Sequence, residues 1–248
     1  MKIHLLGTGA GNPSPTRYNS CSVLETAGGL YMIDAGGPTM GLMRRAGLDP
    51  AQLKALFVSH MHEDHFGGIS SILKNRCKYL PAGEFFDVWL PEGRCGEVIN
   101  AFINLSVGAP RHYPTDHLRY HSIHTGVFFD DGNVKVSAYP NDHLACEKFF
   151  NPSFGFRFEC EGKVMLYTGD LAADFHDFPE AECQTAHTCV TELTHYPLDV
   201  AFPVFERLPL EQLLFTHVAM AHAPVIEANR DRFPYKVAVA NDGDCFEV

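Results

Sequence analysis

Short apolar runs recur along the chain, separated by glycine, proline and small polar residues. The stretch Lys2-Ile3-His4-Leu5-Leu6 reads as a strand, and residues 19–24 and 30–33 alternate like a hairpin around Ala27-Gly28-Gly29. Residues 38–46 suggest a short helix closed by Gly47, and residues 53–58 a buried strand. Ile69, Ile72 and Leu73 form a helical stripe, residues 85–90 a strand, and Val98, Phe102, Ile103 and Leu105 a further helix. Residues 108–125 read as loop. Strands return at 134–139, 154–160 and 164–167, the last two joined as a hairpin at Glu161-Gly162-Lys163. Strands at 188–193 and 210–215 follow. A helix over 223–233 carries Pro224 near its first turn, and strands at 236–240 and 245–248 close the chain. Strands then helices, twice over, with no linker, repeat or low-complexity segment, predict one domain over 1–248 in which two sheets lie between helices.

One polar stretch interrupts this pattern in an informative place. Ser59-His60-Met61-His62-Glu63-Asp64-His65 is H-x-H-x-D-H and follows the apolar run Ala55-Leu56-Phe57-Val58. It therefore sits at a strand's carboxyl end, where open α/β sheets carry their chemistry. Imidazoles one residue apart on extended backbone converge on one cation, and the carboxylate and next imidazole face a second. Neutral imidazole with carboxylate suits zinc, manganese or iron. The bland alternative is a solvated, His-rich turn.

Three later residues repeat the placement. His143 follows a strand in Pro140-Asn141-Asp142-His143, Asp170 ends Tyr167-Thr168-Gly169-Asp170, and His217 ends Leu214-Phe215-Thr216-His217. Each alone reads as a turn residue; in order behind H-x-H-x-D-H they read as one dinuclear site. His222 competes with His217, which is preferred because the apolar run leads straight into it. Asp34, in Ile33-Asp34-Ala35-Gly36-Gly37, is either a turn residue or a support for the metal loop. His112, His117, His121 and His124 form no compact ligand set and read as surface or pocket-rim residues. Gly7-Thr8-Gly9-Ala10-Gly11-Asn12-Pro13 is Gly-rich but is no dinucleotide fingerprint, because prolines intervene before any helix.

This order of motifs resembles the metallo-β-lactamase superfamily over nearly the whole chain. The resemblance implies a four-layer αββα sandwich of the α/β class. It implies that His60, His62 and His143 hold one divalent transition metal, that Asp64, His65 and His217 hold the other, and that Asp170 bridges the two, zinc being favoured. Within the superfamily the chain is most similar to tRNA 3′-end processing nucleases and related small phosphodiesterases, through Leu6-Gly7-Thr8-Gly9, Asn19, Ser153-Phe154-Gly155-Phe156 and Thr168-Gly169-Asp170. Thr191-Glu192-Leu193-Thr194-His195 resembles the Glu-containing element that supports a catalytic histidine in those nucleases. Here Glu192 and His195 are close together, a departure from that pattern. No Gly- and Lys-rich arm of the kind that grips tRNA is present.

The implied activity is hydrolysis of a small or cyclic phosphodiester by a metal-bridging hydroxide. Asp64 orients that hydroxide, and His195, oriented by Glu192, acts as general acid. The alternatives are a thioester or lactam hydrolase on the same metals and an RNA 3′-end processing endonuclease. Di-iron redox relatives carry an acid where this chain has His62. Non-catalytic members of the superfamily usually lose ligands, and this chain keeps the set.

Composition narrows the partners. The 248 residues carry a formal charge of −11, which argues against a long nucleic acid and for a small or short substrate. Eight cysteines form no C-x-x-C pair and, in a chain of this size without a signal-like start, read as reduced cytoplasmic thiols. No apolar run reaches membrane-span length. A homodimer is compatible with all of this.

Overall fold

The computed structural model describes residues 1–12, 14–105, 107, 112–145 and 152–248. Pro13 of the Gly-rich turn, residues 108–111 of the expected loop and one of the eight cysteines, Cys146, lie outside them. Among the described residues, fourteen strands form two seven-stranded sheets. The first holds β1 (Lys2–Gly7), β2 (Cys21–Thr26), β3 (Gly29–Ala35), β4 (Leu53–Phe57), β5 (Phe86–Leu90) and β6 (Leu118–Ser122). The second holds β7 (Gly126–Asp130), β8 (Lys135–Asn141), β9 (Ser153–Cys160), β10 (Lys163–Tyr167), β11 (Thr188–Leu193), β12 (Gln212–Val218) and β13 (Lys236–Val239). The last strand, β14 (Asp244–Glu247), returns to the first sheet and pairs antiparallel with β1, His4 opposite Cys245. Strands β3 to β6 run parallel, as do β10 to β13.

Helices cover both outer faces. α1 (Thr39–Arg45), α2 (Glu63–Phe66), α3 (Ile69–Tyr79) and α4 (Cys95–Asn104) belong to the first half, and α5 (Glu180–Cys183), α6 (Leu198–Phe205) and α7 (Ala223–Ala228) to the second. The central strands, such as β3, β11 and β12, are buried on both faces, so alternate residues serve different layers. On β4, Leu56 packs outward with Leu42, Ile72 and Ile103, while Ala55 and Phe57 pack between the sheets. On β12, Leu213 and Phe215 meet Phe202, Phe205 and Ile226 outside, while Leu214 faces the inter-sheet core. This is the four-layer αββα sandwich that the resemblance implies. Phe57 anchors its middle, with ring centroids 5.2–6.3 Å from Phe128, Phe129, Phe156 and Phe158. Truncating it to alanine would cost about 3–5 kcal/mol. At the edge remote from the histidines, Tyr31 donates to Asp131 at 2.6 Å, and Asn133 donates to Tyr31 and to Thr26, both at 2.9 Å.

Several expectations need correction. Residues 118–122, expected as loop, form a strand, and residues 126–130, for which the pattern gave no expectation, form another. In β6 only Leu118 is buried and the rest is Arg-Tyr-His-Ser, an edge strand without an apolar signal. α4 forms, but it buries Gly96, Ile99 and Ile103 and leaves Val98, Phe102 and Leu105 exposed. α6 carries no expectation in the pattern, because Pro203 lies inside it and the run is apolar nearly all round. The helix expected over 223–233 ends at Ala228 and continues only as a short 3₁₀ turn, Arg230–Arg232.

Candidate metal centre

The carboxyl ends of β4, β8, β10, β11 and β12 meet at one margin of the sandwich. His60 and His62 lie on extended backbone after β4, and Asp64 and His65 sit in the single turn α2. Gly36 makes that turn possible, because a Cβ there would stand 1.9 Å from the Asp64 carbonyl oxygen. Gly169, with φ of +61°, turns the chain sharply before Asp170.

Asp34 fixes the motif from beneath. Its buried carboxylate accepts from Ser59 N at 2.7 Å, Ser59 Oγ at 2.9 Å and Tyr167 OH at 3.1 Å, and pairs with His65 Nδ1 at 2.8 Å. Asp34 takes the left-handed backbone of a turn residue, with φ of +56°, and also props the loop that carries His60 and His65. Ser59 and Tyr167 share that role, and the only sequence signal for either is its place beside His60 or in Tyr167-Thr168-Gly169-Asp170.

The structure brings all the expected ligands together. Donor atoms of His60, His62, His143 and Asp170 lie within 4.8 Å of one another, and so do those of Asp64, His65 and His217. Asp170 Oδ2 stands between the two groups. It is 3.7 Å from His60 Nε2, 3.7 Å from His143 Nε2, 3.4 Å from His65 Nε2 and 3.5 Å from His217 Nε2. Asp64 Oδ2 is 3.0 Å from His217 Nε2. His222, the rival, belongs to neither group and starts α7. His112 and His124 are exposed, His117 meets the Glu84 carbonyl at 3.0 Å, and His121 pairs with Asp87 and stacks on Trp89.

His195 stands over the cluster. Its Nδ1 donates to Glu192 Oε1 at 2.9 Å and lies 3.8 Å from Asp170, and its ring stacks on His217. Glu192, 1 % exposed, does more than orient this ring: it also accepts from the backbone N–H of Leu171, Thr194 and His195. It thereby holds the loop that carries Asp170. Beside His62, His143 and His195 opens a cavity of about 560 Å³ walled by Leu144, Leu171 and Ala172.

The charge pattern follows from burial and neighbours. Burial, then the neighbouring His65, keeps His60 well below the ordinary histidine value, and burial also lowers His143. Burial works against charge on His65, yet Asp170 and Asp34 hold its imidazole well above that value. Burial likewise opposes charge on Asp170, yet His217 and His65 hold its carboxyl well below the carboxylate range. Burial lowers His195, but Glu192 and Asp170 bring it to about 9. The low-lying imidazoles of His60 and His143 and the ionised Asp170 converge in a buried space and are donors that suit a divalent cation, whereas His65 would give up its proton on joining them. His65 Nε2, buried and without a hydrogen-bond partner among the described residues, fits the same demand.

Comparison with known proteins agrees with this fold. A family model described as "Anti-Pycsar protein Apyc1" matches residues 1–202. Ribonuclease BN of Cronobacter sakazakii is 33% identical over 169 residues, which are 66% of this chain and 51% of that protein. The match thus spans about half the length of the curated relatives. Human tRNase Z, short form, superposes with a TM-score of 0.75 at 23% identity, covering 100% of this chain and 99% of that one. The metallo-β-lactamase fold protein YhfI of Bacillus subtilis superposes with a TM-score of 0.77 at 16% identity, covering 99% of each.

Proposed function

The chain belongs to the anti-Pycsar protein Apyc1 family, and on that premise we propose that it is a metal-dependent hydrolase of a small or cyclic phosphodiester. The observation that carries this reading is the position of Asp170 Oδ2, within 3.4–3.8 Å of imidazole nitrogens from both halves of the cluster and from His195. One carboxylate oxygen shared in this way suits a bridge between two cations.

In this reading His60, His62 and His143 hold one divalent ion, Asp64, His65 and His217 the other, with zinc suiting the donors best and manganese or iron acceptable. When bound, such ions neutralise an anionic phosphate and bring the pKa of a water towards neutrality. The chain's residues supply the rest. Asp64 orients the attacking water. Glu192 accepts the hydrogen bond of His195 Nδ1, which leaves Nε2 as the nitrogen whose proton the leaving oxygen would take. The cavity beside His143 gives the substrate's remaining part room. No helix among the described residues is long and apolar enough to cross a membrane. We place the enzyme in the cytoplasm on its thiols, seven of which are unpaired among the described residues.

A second reading, RNA 3′-end processing, draws on the identity to ribonuclease BN. The formal charge of −11 weighs against it. Metal analysis with a substrate panel decides. The proposal expects close to two transition-metal ions per chain, and faster turnover of cyclic or small phosphodiesters than of precursor RNA, thioesters or lactams. One ion or none after reconstitution would defeat the dinuclear reading; preference for precursor RNA would hand the site to the second one.

A further inference from the structure

His217 is not an ordinary strand residue. Glu192 pairs with Thr216 and Leu193 with Val218, so His217 is an extra residue that bulges from the ladder between β11 and β12. Its φ is +47°, in the left-handed region where such bulges usually carry glycine. The packing shows what the bulge does. Phe215 and Val218 both serve the outer core of the second sheet, so Val218 takes the outward place that residue 217 would hold in a regular strand. The imidazole is released from that face and meets Asp64 and Asp170 instead.

Metal-binding imidazoles are normally held by a hydrogen bond from their far nitrogen. His60 Nδ1 has Ser59 Oγ at 3.1 Å, His65 Nδ1 has Asp34, and His143 Nδ1 has the Leu171 carbonyl at 3.2 Å. His217 Nδ1 is buried with no partner among the described residues. Apart from Asp64 at Nε2 and the stacked His195 ring, its backbone is left to aim it. Two backbone groups at the bulge are taken from outside β12: Val218 N donates to the Thr8 carbonyl at 2.8 Å, and the His217 carbonyl accepts from Thr194 Oγ1. Thr194 is itself fixed, its N–H donating to Glu192 at 2.9 Å.

We infer that Thr194 is a positioning residue whose hydroxyl holds the His217 bulge closed and so aims that imidazole at the second metal. This rests on reading the cluster as a metal centre. Thr194→Val keeps the side-chain shape and removes the hydroxyl; Thr194→Ser keeps the hydroxyl and removes the methyl. Chelator competition on zinc-loaded protein should show one ion bound 10- to 100-fold more weakly in Thr194→Val, the range for supporting groups around a metal. Thr194→Ser should restore it, and the cobalt-substituted spectrum should change in Val and not in Ser. If Thr194→Val does not fold, Thr194→Ala carries the same expectation with less crowding. Zinc bound as tightly in Thr194→Val as in wild type would overturn the inference alone. Equal weakening in Val and Ser would assign the effect to packing and overturn it too. Wild-type protein that binds no transition metal would overturn the metal centre and this role together.

Discussion

The phenol of Tyr167, in the second sheet, donates to the carboxylate of Asp34, in the first, across 3.1 Å. That carboxylate also takes both Ser59 donors and His65, so one buried group couples the sheets to the metal loop.

Removing the charge and removing one donor should therefore differ. Asp34→Asn turns an N–H towards groups that now donate and should weaken metal binding 10- to 100-fold. Tyr167→Phe leaves three donors in place and should cost about 1 kcal/mol of stability with little change in metal affinity. Denaturant unfolding and chelator titration separate the two. Asp34→Asn with unchanged affinity would show that the network shapes the core and not the metal loop.

His217→Ala should release one metal and most activity, whereas His222→Ala should keep both metals, since His222 lies in neither donor group. The reverse result would show that the last ligand has been misplaced.

His195→Ala tests the general acid. An alkyl phosphodiester, whose alkoxide leaves badly without a proton, should slow on the order of a hundredfold more than a nitrophenyl one. Metal content should hold. Equal slowing of both substrates would make His195 a substrate-binding or pocket residue.

The pH dependence has a definite sign. Glu192 and Asp170 raise His195 from 6.5 to about 9, so it keeps its proton through neutrality and loses it as pH rises through about 9. Activity on alkyl esters should fall on that alkaline side. The pair's contribution to stability is likewise full below 6.5 and lost as pH climbs through about 9. Glu192→Gln should move the alkaline fall to lower pH. It should also destabilise the protein more than loss of the ring contact alone, because three backbone amides lose a charged acceptor. A pH–rate profile unmoved in Glu192→Gln would detach Glu192 from the acid.

Much of the architecture was legible because its strands are buried on both faces. Ala55 to Val58 and Leu213 to Phe215 read as unbroken apolar runs, and polar residues at their ends stand out. What stayed hidden depends on partners remote in sequence. β6 is an edge strand held by β5 and shows one apolar residue. Val98, Phe102 and Leu105 look like a core stripe, yet α4 rests on Ile99 and Ile103. The His217 bulge leaves no mark in Leu-Phe-Thr-His, since only the pairing with β11 reveals the extra residue. Glu192 showed its link to His195 through the resemblance of Thr191-Glu192-Leu193-Thr194-His195 to the nuclease element, while its three amides come from folding.

The two margins of the sandwich are fastened differently. One is closed by neutral side chains, Tyr31, Thr26 and Asn133, with Asp131. The other draws His60, His62, Asp64 and His65 from one sheet and His143, Asp170 and His217 from the other, so whatever these residues grip acts as a removable clasp. Stripping it should let the molecule gape like a book hinged at its far spine. With a chelator, amide exchange should quicken around residues 58–65 and 216–218 and stay slow around 26–31 and 131–134. Exchange that quickens evenly along the chain would mean that the clasp secures the whole fold and not one margin.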